Sequence, residues 1–177
     1  NAERYNNEPD FVTLLGYEAL TYHDEEPAGH VNLYYPGDKG EMIPRPELSE
    51  IPDICRTRGA ISIPHHTMYG GDFFGQMGLR LDLMDPEDFP EDLMPVTEIY
   101  STHGCSEAAG CERSVLGVNP ESSVQAALEK GFRWGFIGGS DNHESLLGHN
   151  FRVDKIPRTI NNEHMQFRNG LTAAYLD

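Results

Sequence analysis

The sequence predicts an α/β fold in which short strands alternate with helices or loops and pair in parallel. Three observations predict it. β-rich apolar runs recur at spacings of roughly 30–40 residues. A well-capped helical segment separates two of them. Residues of the metal-binding type collect where the runs end, as functional groups do at the C-terminal edge of a parallel sheet.

The first run is residues 11–19 (FVTLLGYEA), ending near Glu18, and the second is residues 29–35 (GHVNLYY), opening with His30. Residues 46–58 (PELSEIPDICRTR) read as a helical connection interrupted by Pro52, with Gly59 in the C-capping place. A third strand, residues 60–64 (AISIP), stops at His65 and His66. Residues 69–95 are rich in Gly, Asp and Pro, which favours a long loop able to cover a site. Residues 96–100 (VTEIY) form a fourth strand containing Glu98, followed by Ser101-Thr102-His103-Gly104. Residues 122–130 (SSVQAALEK) have a serine at the start and Gly131 just past the end, as a helix requires. The strand at residues 134–138 (WGFIG) then delivers Ser140-Asp141-Asn142-His143, and residues 170–176 suit a closing strand.

Composition narrows the function. With 38% hydrophobic and 24% charged residues the 177-residue chain reads as one folded, soluble domain. A formal net charge of −16, from 29 acidic and 13 basic residues, repels the phosphates of nucleic acids and anionic membranes. No apolar run approaches the length of a membrane span, and the first residues, NAERYNNEPD, lack the features of a signal peptide; the compartment is left open. Cys55, Cys105 and Cys111 have no C-x-x-C spacing and are expected to be free thiols rather than a disulfide framework or thiolate zinc site.

Glu18, His30, His65, His66, Glu98, Asp141 and His143 therefore form the expected constellation. Mixed imidazole and carboxylate ligation suits Zn, Mn or Fe. Two or three such ions can hold and acidify a water and stabilise charge on a phosphoryl oxygen. Glu98 can equally orient a ligand from behind. His23, His149 and His164 stand outside the set, and His103 has the weaker claim of a lone histidine in a turn.

Taken in order, Gly16-Tyr17-Glu18, Gly29-His30-Val31-Asn32, Ile63-Pro64-His65-His66-Thr67, Glu98-Ile99-Tyr100-Ser101 and Gly139-Ser140-Asp141-Asn142-His143 resemble the polymerase-and-histidinol-phosphatase (PHP) superfamily, and its DUF3604-type branch above all. The resemblance implies a distorted seven-stranded (βα) TIM-like barrel with a di- or trinuclear centre that hydrolyses small phosphoesters. It makes Glu18, His30, His65, Asp141 and His143 metal ligands, prefers His65 over His66, and ranks His66, Glu98 and His103 lower. Asp141 and His143 are the expected catalytic pair, Asp141 or a neighbouring histidine relaying protons. That superfamily opens with a His-x-His strand and an Asp-His pair. This chain has neither, so the barrel is expected to lack its first βα units, and residues 1–177 are expected to be a partial domain.

Two alternatives accompany the phosphoesterase reading: a non-catalytic metal-binding remnant or partial domain completed by another chain, and a metallohydrolase acting on a non-phosphate bond. Arg56, Arg58, Arg80 and Arg133 are candidates for a phosphate clamp, a small-molecule phosphoester is the expected partner, and homo-oligomerisation is left open.

Overall fold

The computed structural model describes residues 2–7, 10–37, 39–70 and 76–141, together with Gly170 and Thr172. A helical turn, α1 (Ala2–Tyr5), precedes two long strands, β1 (Leu15–His23) and β2 (Glu26–Tyr35). Then follow α2 (Ile51–Arg58), β3 (Ile61–Pro64), β4 (Val96–Ser101), the two-residue β5 (Gly104–Cys105), α3 (Val124–Lys130) and β6 (Gly135–Gly138). Short 3-10 turns at Leu48–Glu50, Leu81–Leu83 and Pro120–Ser122 link them.

The expected barrel is not what these elements build. The strands make two three-stranded sheets, ordered β1-β2-β3 and β5-β4-β6. The first is antiparallel throughout; in the second only β4 and β6 run parallel, Glu98 facing Ile137 across the pair. Among the described residues there is no closed barrel and no helix between β1 and β2, so the (βα)7 TIM-like expectation is corrected to two small antiparallel and mixed sheets.

The reason lies in nine residues between the two runs expected to be separate strands. Leu20-Thr21-Tyr22-His23 prolong β1 and Glu26-Pro27-Ala28 begin β2, leaving only Asp24-Glu25 as a connection. Both turn residues have positive φ, 51° and 70°, the backbone of a type I′ hairpin turn whose twist matches that of the strands it joins. A two-residue connection can only return the chain antiparallel. Residues 11–14, expected to begin β1, precede it, and Phe11, Val12 and Leu14 are exposed.

Period-two alternation then sorts the hairpin into two faces. Ala19, Thr21, Val31, Leu33 and Tyr35 are buried; Gly16, Glu18, His30, Asn32 and Tyr34 occupy the opposite, more open face. Val31 and Leu33 meet Ile51, Cys55, Leu79, Leu81, Met84 and Met94 in the main core, where each such side chain contributes roughly 1.5–3 kcal/mol by leaving water. Phe132 stacks on Trp134 in the same core, with ring centroids 4.4 Å apart.

The helices follow their caps. Pro52 stands in the first turn of α2, where a missing N–H costs nothing, so it starts this helix and does not interrupt it. Gly59 ends α2 with φ 64°, a left-handed conformation suited to glycine. Ser123 caps α3 by accepting from the N–H of Ala126 at 3.2 Å, and Gly131 closes it at φ 114°. No helix among the described residues is long and apolar enough to cross a membrane. The predicted closing strand lies largely outside the described residues, although Thr172 Oγ1 accepts from the N–H of Gly138 at 2.8 Å.

Candidate metal centre

β3 packs beside β4, and the two sheets bring the open face of the hairpin against the ends of β3, β4 and β6. Glu18 and His30 project from the middle of the hairpin, not from strand ends as expected. Their side chains pair directly, His30 Nδ1 on Glu18 Oε1. His65 leaves the end of β3, where its N–H donates to the His30 carbonyl at 3.3 Å. Glu98 reaches in from the middle of β4, His103 from the turn between β4 and β5, and Asp141 from just beyond β6.

These side chains converge. His65 Nδ1 lies 3.0 Å from Glu98 Oε1, while His65 Nε2 lies 3.5 Å from Asp141 Oδ2 and 3.8 Å from Glu18 Oε1. Asp141 Oδ2 is also 2.8 Å from His103 Nε2 and 3.7 Å from His66 Nδ1. The rings of His65 and His66 are 3.9 Å apart, and His66 is met edge-on by His30, His103 and Tyr69 at 5.1, 5.2 and 5.7 Å. His65, His66 and Glu98 are each no more than 3% exposed.

Burial sets the protonation states. Glu18 is pushed up by burial, but the pairing with His30 and the nearby imidazoles outweigh this and lower it to about 2. Burial disfavours the charged form of His65, yet Asp141 and Glu98 on its two nitrogens raise it to about 10. Burial lowers His66 to about 3, with the charge on His65 acting in the same direction. The tandem histidines are thus pushed in opposite directions, His65 toward the imidazolium and His66 toward the neutral ring.

The residues fit a divalent cation. The Nδ1 atoms of His30, His65 and His66 are buried without a hydrogen bond of acceptable geometry, although carboxylate oxygens stand at ion-pair distance. Ligands held at roughly 2.0–2.2 Å by one ion are at most about 4.4 Å apart. The nitrogen-to-oxygen separations of 2.8–3.8 Å around Asp141 and Glu18 meet that condition. Among the described residues four overlapping groups satisfy a wider limit of 4.8 Å: Glu18, His30 and His66; His65, His66 and Glu98; His66, His103 and Asp141; and Glu18, His65 and Asp141. Both His66 and Asp141 have positive φ, 30° and 48°, a backbone state that costs energy and collects at functional sites.

Of the expected ligands, Glu18, His30, His65 and Asp141 come together, and so do the lower-ranked His66, Glu98 and His103. His143 lies outside the described residues, as do His149 and His164. His23 is a half-exposed neighbour of Asp24 at the hairpin turn. The proposed clamp residues are engaged elsewhere: Arg56 with Asp53, Arg58 with Glu41 and Arg80 with Asp82, while Arg133 lines an open surface hollow with Glu91 and Trp134. Sequence reasoning passed over Arg113, which donates to the Tyr100 hydroxyl at 2.7 Å and to the Thr102 carbonyl, on the segment that leads into His103. It also passed over Tyr69, whose only sequence signal is its position three residues after His66 at the start of the Gly-rich loop.

No protein-family model matches the chain, and no solved structure matches it. A Chlamydia trachomatis protein is 29% identical over 180 residues, covering 96% of this chain and 26% of the relative. A Chlamydia muridarum protein is 27% identical over 183 residues with the same coverage, and both relatives are described as uncharacterized proteins. The chain spans about a quarter of the length of these curated relatives.

Proposed function

We propose that this domain is a metal-dependent hydrolase, with Glu18, His30, His65, His66, Glu98, His103 and Asp141 surrounding a centre of two or three divalent ions. The observation that carries the reading is the set of buried imidazole nitrogens without hydrogen bonds, turned toward three carboxylates. Such a cluster is costly unless protons or cations compensate it. Zn, Mn or Fe suits the mixed donors, and when bound supplies Lewis acidity and a water acidified toward neutrality.

The protein's own groups then have distinct tasks. Asp141, within reach of His103, His65 and His66, is placed to accept a proton and pass it to an imidazole. Glu98 holds His65 from behind. The likeness of the motifs to the PHP superfamily suggests a small phosphoester as the substrate; since the sheets do not form that superfamily's barrel, the reading rests on donor chemistry instead of fold.

Elemental analysis of the purified chain, beside a His66→Ala, Asp141→Ala double variant, tests the centre. Stoichiometric Zn, Mn or Fe that disappears in the variant supports it, and phosphate release from a phosphoester panel would then establish the activity. Metal without turnover on phosphate, amide or sulfate esters favours the second reading, a non-catalytic metal-binding remnant or partial domain completed by another chain. Absence of metal after reconstitution would sink both.

A further inference from the structure

We infer that His66, rather than His65, is the member of the tandem pair that binds the cation, through Nδ1, with its tautomer set by the backbone carbonyl of Met77. This inference rests on the metal-centre reading above and assigns the atom by which one side chain enters it.

The two rings differ in what faces their nitrogens. Both nitrogens of His65 stand at ion-pair distance from carboxylates, Glu98 on Nδ1 and Asp141 and Glu18 on Nε2. His65 thus bridges Glu98 on one side to Asp141 and Glu18 on the other, with both of its nitrogens engaged. His66 has a carboxylate on one side only: Nε2 lies 3.0 Å from the Met77 carbonyl, which accepts and cannot donate. The proton of a neutral ring must therefore sit on Nε2, leaving the Nδ1 lone pair free. That Nδ1 is buried, makes no hydrogen bond and lies 3.7 Å from Asp141 Oδ2. A backbone carbonyl behind one nitrogen is the usual way a protein orients a metal-binding imidazole.

The carbonyl is itself held. Met77 O also accepts from the N–H of His30 at 3.0 Å, so one acceptor ties together His30 and His66. The strap carrying it is pinned on both sides, with Gly78 N–H donating to Tyr69 O at 2.8 Å and Leu79 N–H to His65 O at 3.3 Å. His66 is shared by three of the four donor groups, which makes it central to the cluster.

Long-range ¹H–¹⁵N correlation spectra of the wild-type chain, before and after zinc addition, read each ring's tautomer and its bound nitrogen directly. The expected result is His66 as the Nε2–H tautomer without metal and a zinc-induced shift of His66 Nδ1, with neither His65 nitrogen taking the shift of a zinc-bound nitrogen. Zinc affinities give a second readout. His66→Gln should lose more than the roughly 10–100-fold that disturbing an outer partner costs, and His65→Gln should stay within that range. Zinc uptake with His66 in the Nδ1–H form, or a zinc-induced shift at His65 and none at His66, overturns the assignment alone. If the wild-type chain takes up no zinc, Mn or Fe, the metal-centre reading fails and the assignment with it.

Discussion

His65 Nδ1 lies 3.0 Å from Glu98 Oε1, and the same carboxylate oxygen accepts from the backbone N–H of His66 at 3.4 Å. One buried carboxylate on β4 thus fixes both tandem histidines at the end of β3. Removing it by Glu98→Ala leaves His65 with carboxylates only at Nε2, from Asp141 and Glu18, and leaves an unsatisfied N–H, a loss of about 3 kcal/mol for a broken buried pair. Chemical denaturation of the metal-free protein at pH 6 checks this, and a change under about 1 kcal/mol would show that the pair is not structural.

The same pair makes stability depend on pH. His65 is raised from an ordinary 6.5 to about 10 because Asp141 and Glu98 outweigh its burial. A raised folded-state value means that its contribution is fully present below about pH 6.5 and fades as pH climbs through about 10. A cation seated against Glu18 and Asp141 takes over that compensation and expels the proton. Zinc binding between those pH values should release about one proton from His65 and tighten as pH rises. Calorimetry in buffers of different ionisation enthalpy counts the protons; no net release would refute the account.

The helix termini and most members of the side-chain cluster were legible because their signals are local. Ser123, Gly59 and Gly131 cap helices by their own backbone and side-chain preferences, and β3, β4 and β6 lie within a residue of where β-rich runs predict them. The hairpin was hidden because Asp24-Glu25 lacks the glycine that normally announces a type I′ turn. Without that turn, β1 and β2 read as separate strands and Glu18 as a strand end. The approach of His66 and His103 to this cluster was hidden because their partners come from β2, β4 and beyond β6, far away in sequence. Met77 contributes only a carbonyl, which no side-chain pattern can reveal.

The hairpin makes its own prediction. Glu25 occupies a left-handed conformation, φ 70°, that penalises a side chain bearing Cβ. Glu25→Gly should stabilise the protein by about 1 kcal/mol and raise Tm, because it supplies the Asp-Gly pair such a turn prefers. A lowered Tm would contradict the antiparallel pairing of β1 with β2 at this end.

Arg113 should matter to the metal centre without touching it. Its guanidinium holds the Tyr100 hydroxyl and the Thr102 carbonyl, two groups that flank the turn carrying His103, and His103 in turn reaches Asp141 at 2.8 Å. Arg113→Met keeps the length of the side chain but removes both donors. Zinc affinity should fall by about 10–100-fold, with Arg113→Lys recovering part of it. Equal affinities in all three proteins would show that His103 is either held without Arg113 or not needed by the ion.

Gly78 tests the strap from the opposite side of the cluster. A Cβ on this residue would come within 2.6 Å of the Tyr69 nitrogen and 2.7 Å of the Thr67 carbonyl oxygen, distances that backbone atoms cannot absorb without moving. Because the next residue before it supplies the carbonyl behind His66, displacement of the strap carries that carbonyl away from Nε2. Gly78→Ala is therefore expected to cost about 1–3 kcal/mol through overpacking and to weaken zinc binding as well. Met77→Leu, which changes only a side chain while the carbonyl stays in place, should leave zinc binding near wild type. If the two variants weaken zinc equally, general loosening of the loop, and not the position of the Met77 carbonyl, governs the centre.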